Sequence, residues 1–61
     1  MEEQDRSAVT RARLLIINSV LADMLLVADA GDEHLISAMI ADSRDCVAAR
    51  LAALGPTEPR R

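Results

Sequence analysis

Large apolar residues return along this chain at steps of three and four, the period of a helix and not of a strand. In the first half Leu14, Ile17, Leu21, Met24 and Ala28 form one heptad row, and Val9, Ile16, Val20 and Val27 form a second beside it. Leu25 widens the arc, while Leu15 and Leu26 fall on an otherwise polar side with Arg11, Ser19 and Asp23. In the second half Ile36, Met39, Ile40, Val47, Leu51 and Leu54 make the large-residue face, flanked by Leu35 and Cys46. Ala38, Ala41, Ala48 and Ala52 lie opposite, small enough for another helix to come close.

Two glycines punctuate the pattern. Gly31 sits within Ala30-Gly31-Asp32, and Gly55-Pro56 follows the last apolar residue. Glycine past a helix end, with proline soon after, is a stop signal, because glycine accepts a left-handed cap and proline cannot extend the helix. Asp32 then reads as the N-cap of a second helix, with Glu33 well placed in its first turn. The spacing predicts helices over roughly 5–30 and roughly 32–54, each on the order of 35 Å long. So short a link allows only an antiparallel hairpin. The expected fold is all-α, with one helical hairpin domain over 1–55 and a polar tail over 56–61.

The first helix offers more apolar surface than the second can cover, and such a patch marks an interface. The simplest arrangement is a homodimer in which two hairpins form a four-helix bundle. Ile17, Leu21, Met24, Ile36, Met39, Ile40 and Val47 are the expected dimer interface, and Leu15 and Leu26 the expected contact with a further partner.

Composition narrows the function. Sixty-one residues leave nothing to wall a substrate pocket, so neither an enzyme nor a cofactor is expected. A net charge of −3 argues against a general nucleic-acid or anionic-membrane binder. One cysteine excludes a disulfide scaffold. The acidic start MEEQDR is unlike a signal peptide, and the apolar run over residues 14–28 is too short and too polar to span a bilayer, so a cytoplasmic chain is expected. Arginine and alanine without any lysine suggest a GC-rich bacterial gene.

Candidate chemistry is sparse. Asn18 and Ser19 in the first helix fall level with Asp42, Ser43 and Arg44 in the second, which reads either as a central ligand site or as a polar layer that fixes register. His34 lies beside Asp32 and Glu33, but adjacent helical residues point about 100° apart and share an ion poorly. Cys46 reads as a small hydrophobe. Ser7, Ser19, Ser37 and Ser43 have no activating histidine except His34 one turn before Ser37, which is not a catalytic signal. Arg6, Arg11 and Arg13, with Arg50, Arg60 and Arg61, gather at the open end of the hairpin, and Asp23, Asp29, Asp32 and Glu33 gather toward the loop end. Glu2 and Arg6 are spaced for an i,i+4 ion pair.

Residues 4–14, QDRSAVTRARL, resemble the start of the Rop family of small plasmid RNA-binding copy-number proteins. Gln4, Ala8, Ala12 and Arg13 match in type, and Asp5, Arg6, Ser7 and Val9 match conservatively. Leu51-Ala52 and Leu54-Gly55 resemble that family's second-helix ending. The resemblance implies a hairpin pairing into a four-helix bundle, with RNA met by Arg6, Arg11 and Arg13 of both copies. At the family's RNA-reading positions this chain has Glu3, Thr10, Leu14, Asn18 and Leu25, which removes the basic and aromatic groups that stack on bases. The expectation is therefore a non-enzymatic interaction or regulatory module acting as a homodimer. The alternatives are an RNA modulator, and an antitoxin- or chaperone-like subunit held by another protein.

Overall fold

The computed structural model describes residues 2–55, with side-chain exposure from residue 5 onward. Helix α1 runs Glu2–Ala30 and helix α2 runs His34–Leu54, joined by residues 31–33 and packed against each other. The expected tail over 56–61, with Arg60 and Arg61, and the Glu2–Arg6 ion pair lie outside the described residues or side chains.

The helices are not matched in length, contrary to the expectation. α1 has 29 residues and α2 has 21, or about 44 Å against about 32 Å at the helical rise. The polar start carries no apolar period to mark it, yet Glu, Gln, Arg and Ala all favour helix, and acids are favourable at a helix N-terminus. The register brings Arg11 opposite Leu51, whose carbonyl accepts from Arg11 Nη2 at 3.5 Å. The first turns of α1 therefore project beyond the end of α2.

The turn corrects two expectations. Asp32, not Gly31, takes the left-handed conformation, at φ 58°. Glu33 N–H donates to the Ala28 carbonyl at 2.9 Å, and Asp32 N–H to the Asp29 carbonyl at 3.1 Å. These two bonds define a Schellman ending, with Asp32 in the place usually given to glycine. Asp32 is thus no N-cap. Glu33 holds that position at the head of α2, without a side-chain bond to the helix, and its carbonyl accepts from Ser37 N–H at 2.8 Å. At the far end Gly55 has φ 80° and ψ −176°, a region close to glycine-only, so the expected stop stands there.

Conformation at this turn makes a direct prediction. A Cβ on Gly31 would meet nothing nearer than the Val27 carbonyl oxygen at 3.6 Å. Gly31→Ala should therefore raise stability by about 0.4–1 kcal/mol, by restricting the unfolded chain. Asp32→Gly should raise it by about 0.5–1 kcal/mol, by relieving the left-handed strain. Urea midpoints measure both. A loss on Gly31→Ala would return the left-handed position to Gly31.

Packing between the helices follows an unbroken heptad. On α1 the seam row is Arg11, Leu14, Asn18, Leu21, Leu25 and Ala28, with Thr10 and Ala22 also part-sheltered beside it, and on α2 it is Ser37, Ile40, Arg44, Val47, Leu51 and Leu54. Both rows step by three and four, the knobs-into-holes pattern of a two-helix seam. The α1 seam thus differs from the expected row: Asn18 and Leu25 occupy it, and Ile17 and Met24 stand beside it. Among the described residues the buried core is Ala28, Ile40 and Val47, at 7%, 6% and 8% exposure.

Candidate functional site: the two faces beside the seam

Helical geometry leaves two flanks on each helix next to the seam, and the antiparallel fold joins them into two faces. One carries Ile17, Val20, Met24 and Val27 from α1 with Ile36, Met39, Cys46 and the polar Ser43 from α2. Val27 is 74% exposed and Met39 61%, while Ile17, Val20, Met24 and Ile36 are each about half exposed. This broad face is apolar over most of the hairpin and is bounded at the open end by Arg13 and Arg50, both exposed. The opposite face carries Ala12 and Ala22 of α1, and Ala38, Ala41, Ala48 and Ala52 of α2. Leu15 and Leu26 edge it, at 52% and 70% exposure.

The seven residues expected at a dimer interface therefore divide. Ile17, Met24, Ile36 and Met39 lie on the broad face, whereas Leu21, Ile40 and Val47 fill the seam within the chain. Leu15 and Leu26 share the alanine side of α1, about three turns apart. Val20 and Val27, placed in a secondary row by periodicity, prove central to the broad face. The signal was present in their spacing to Ile17 and Met24.

Of the central polar residues, only Asn18 and Arg44 enter the seam; Ser19, Asp42 and Ser43 are exposed. Arg44 opens onto the alanine face in a shallow cleft of about 360 Å³, lined by Asn18, Ala41, Arg44, Asp45 and Ala48. Its Nε is buried and has no hydrogen-bond partner among the described residues. A buried donor left unmatched costs about 1–3 kcal/mol, and among the described residues Arg44 is where such a donor occurs.

The other candidates take plainer roles. Arg11 is turned to the Leu51 carbonyl, which separates it from Arg6 and Arg13, seven residues apart on one stripe. His34, Asp32 and Glu33 are exposed, and no group of three His, Cys, Asp or Glu side chains able to hold a metal occurs among the described residues. Cys46 is a free, exposed thiol. Ser37 has a role the sequence reading missed: its Oγ donates to Asp29 Oδ1 at 2.6 Å and ties the start of α2 to the end of α1. Their spacing across a short loop was the available signal.

The fold and its two faces define the class: a helical hairpin held by a short coiled-coil seam, with apolar surface outside that seam. In comparisons with family models, curated proteins and solved structures, nothing matches this chain. No helix among the described residues is long and apolar enough to cross a membrane.

Proposed function

We propose that this chain is a non-enzymatic interaction module that works as a homodimer, two hairpins closing their broad faces into a four-helix bundle. The observation that supports the reading is the mismatch between three buried residues among those described and a broad face of Ile, Val and Met that is half exposed or more. Leaving that surface wet forfeits about 25 cal/mol per Å², and closing it on a copy of itself recovers this at both surfaces. Charge supports an antiparallel arrangement, since the arginine end of one hairpin then lies beside the acidic loop end of the other. The alanine face, with Leu15 and Leu26, remains outside the bundle and is the working surface.

Sedimentation equilibrium from low micromolar to submillimolar concentration, with circular dichroism on the same samples, tests the reading. A helical dimer that dissociates and loses helicity together on dilution is expected. A fully helical monomer at every concentration would overturn it. Leu15→Asp should leave the dimer's mass and helicity unchanged, because Leu15 is on the other face. Should that substitution dissolve the dimer, the two faces have been assigned the wrong way round.

A further inference from the structure

The broad face is symmetric about one line across the hairpin. Two hydrogen bonds between the helices, Arg11 to the Leu51 carbonyl and Ser37 to Asp29, fix which residues of α1 and α2 lie level. On α1 the face runs Arg13, Ile17, Val20, Met24 and Val27, and its four apolar members are centred midway between Val20 and Met24. On α2 it runs Ile36, Met39, Ser43, Cys46 and Arg50, centred on Ser43. The two centres lie level to within about one helical turn, so a single two-fold axis laid across the face passes through both. Each helix then stacks antiparallel on its own copy. Ile17 falls opposite the partner's Val27, Val20 opposite the partner's Met24, and Met39 opposite the partner's Cys46.

We propose that Arg13 and Arg50 of each hairpin hold the turn of the second copy through its Asp32 and Glu33, and that these contacts select the antiparallel dimer. The same axis sets Arg13 level with the partner's Gly31, and Arg50 level with the partner's Ile36, one turn from the partner's Glu33. All four charged side chains are exposed in the single hairpin. An arginine lays its stem over an apolar neighbour such as Ile36 while its guanidinium reaches on to a carboxylate. The competing two-fold axis runs along the helices and stacks α1 on α2 of the second copy, with both turns at one end. It covers the same apolar residues, but it brings Arg13 beside the partner's Arg50 and sets acidic turn against acidic turn. Apolar burial has no direction and does not choose between the two. Charge does, because like charges brought together penalise the wrong arrangement.

This inference rests on the preceding reading that the broad faces close on each other, and it names the residues that set their orientation. Self-complementarity is what such an isologous contact requires, residue i meeting j and j meeting i. Each dimer therefore contains the arginine-to-turn contact twice, once at either end. Exposed ion pairs are screened by salt, so the preference for this orientation is greatest at low ionic strength.

Sedimentation equilibrium of the whole chain at low salt, with circular dichroism on the same samples, tests the proposal with two variants. Asp32→Asn with Glu33→Arg makes the turn basic, and asparagine tolerates the left-handed conformation at position 32. This variant loses the net negative charge of the chain, so general repulsion between copies falls. Its dimer should nonetheless dissociate about tenfold more readily, because Arg13 and Arg50 now meet arginine. Arg13→Glu with Arg50→Glu should weaken the dimer as well, by setting glutamate against Asp32 and Glu33. Mixed in equal amounts, the two variants should form a heterodimer of near wild-type affinity, since opposite charges then meet at both ends. A turn variant that dimerises as tightly as the wild type would overturn the proposal. So would a mixture that recovers no affinity, the result expected if the turn variant were damaged only in its own fold. A wild type that stays monomeric would fail the bundle reading itself and this pairing with it, whereas a wild-type dimer beside an unaffected turn variant fails the pairing alone.

Discussion

Ile40→Ala is expected to melt most of the helix at room temperature. Ile40 is 6% exposed and lies in the seam row of α2, which packs against α1. Truncating a buried isoleucine to alanine removes its transfer energy and leaves a cavity, about 2–5 kcal/mol in all. A domain of this length has a total stability of roughly 3–9 kcal/mol, so one such loss takes a large part of it. The same truncation at Leu26, 70% exposed, should stay within about 0.5 kcal/mol. Urea titrations followed by circular dichroism at one protein concentration make the comparison. Equal losses at the two positions would mean that the seam does not run through Ile40.

Met24→Glu is the second large effect. Met24 stands in the middle of the broad face between Val20 and Val27, and in the proposed dimer it faces apolar side chains of the other copy. A carboxylate there is desolvated without a partner, and every dimer contains it twice. At about 2 kcal/mol per copy, the cost for a hot-spot position, dissociation rises about a thousandfold. The expected result is a monomer by sedimentation that has also lost much of its helicity, since each hairpin alone retains a small core. Leu26→Glu on the other face is the control and should remain a dimer. A Met24→Glu chain that dimerises with wild-type affinity would remove the broad face as the interface.

Much of the architecture was legible because each helix interior lacks proline and glycine and is built from good helix formers. Gly55 marked the end of α2 as expected, though in an extended positive-φ conformation and not in the left-handed cap the stop signal implies. The seam on α1 was harder to place. Counting large apolar residues favours Ile17 and Met24, whereas the structure puts Asn18 and Leu25 between the helices. A half-buried asparagine breaks the apolar period where the true seam passes, and Arg44 and Ser37 do the same on α2. Once the seam moves by one residue, Ile17, Val20, Met24 and Val27 fall together on one outward face, which the two separate rows had obscured.

The turn and the cleft were illegible for a different reason. Glycine is the usual left-handed residue, so Gly31 drew the assignment that belongs to Asp32, and only the hydrogen bonds to the Ala28 and Asp29 carbonyls settle which one it is. The unmatched Nε of Arg44 depends on what surrounds it in three dimensions, and no spacing rule reports an absent acceptor. The length of α1 beyond α2 was missed because a polar helical extension has propensity but no period.

In the proposed dimer, a core that among the described residues comprises Ala28, Ile40 and Val47 ties the survival of each molecule to its abundance. When folding depends on association, the unassembled fraction is set by mass action, and below the dissociation constant most chains are open to cleavage. Newly made copies that fail to meet one another are then degraded first, so the half-life lengthens as synthesis increases. A gene for such a chain responds more than proportionally to its own expression level: weak synthesis leaves almost nothing behind, and strong synthesis protects its own product. Pulse–chase decay at two induction levels reads this out as two different lifetimes for one sequence.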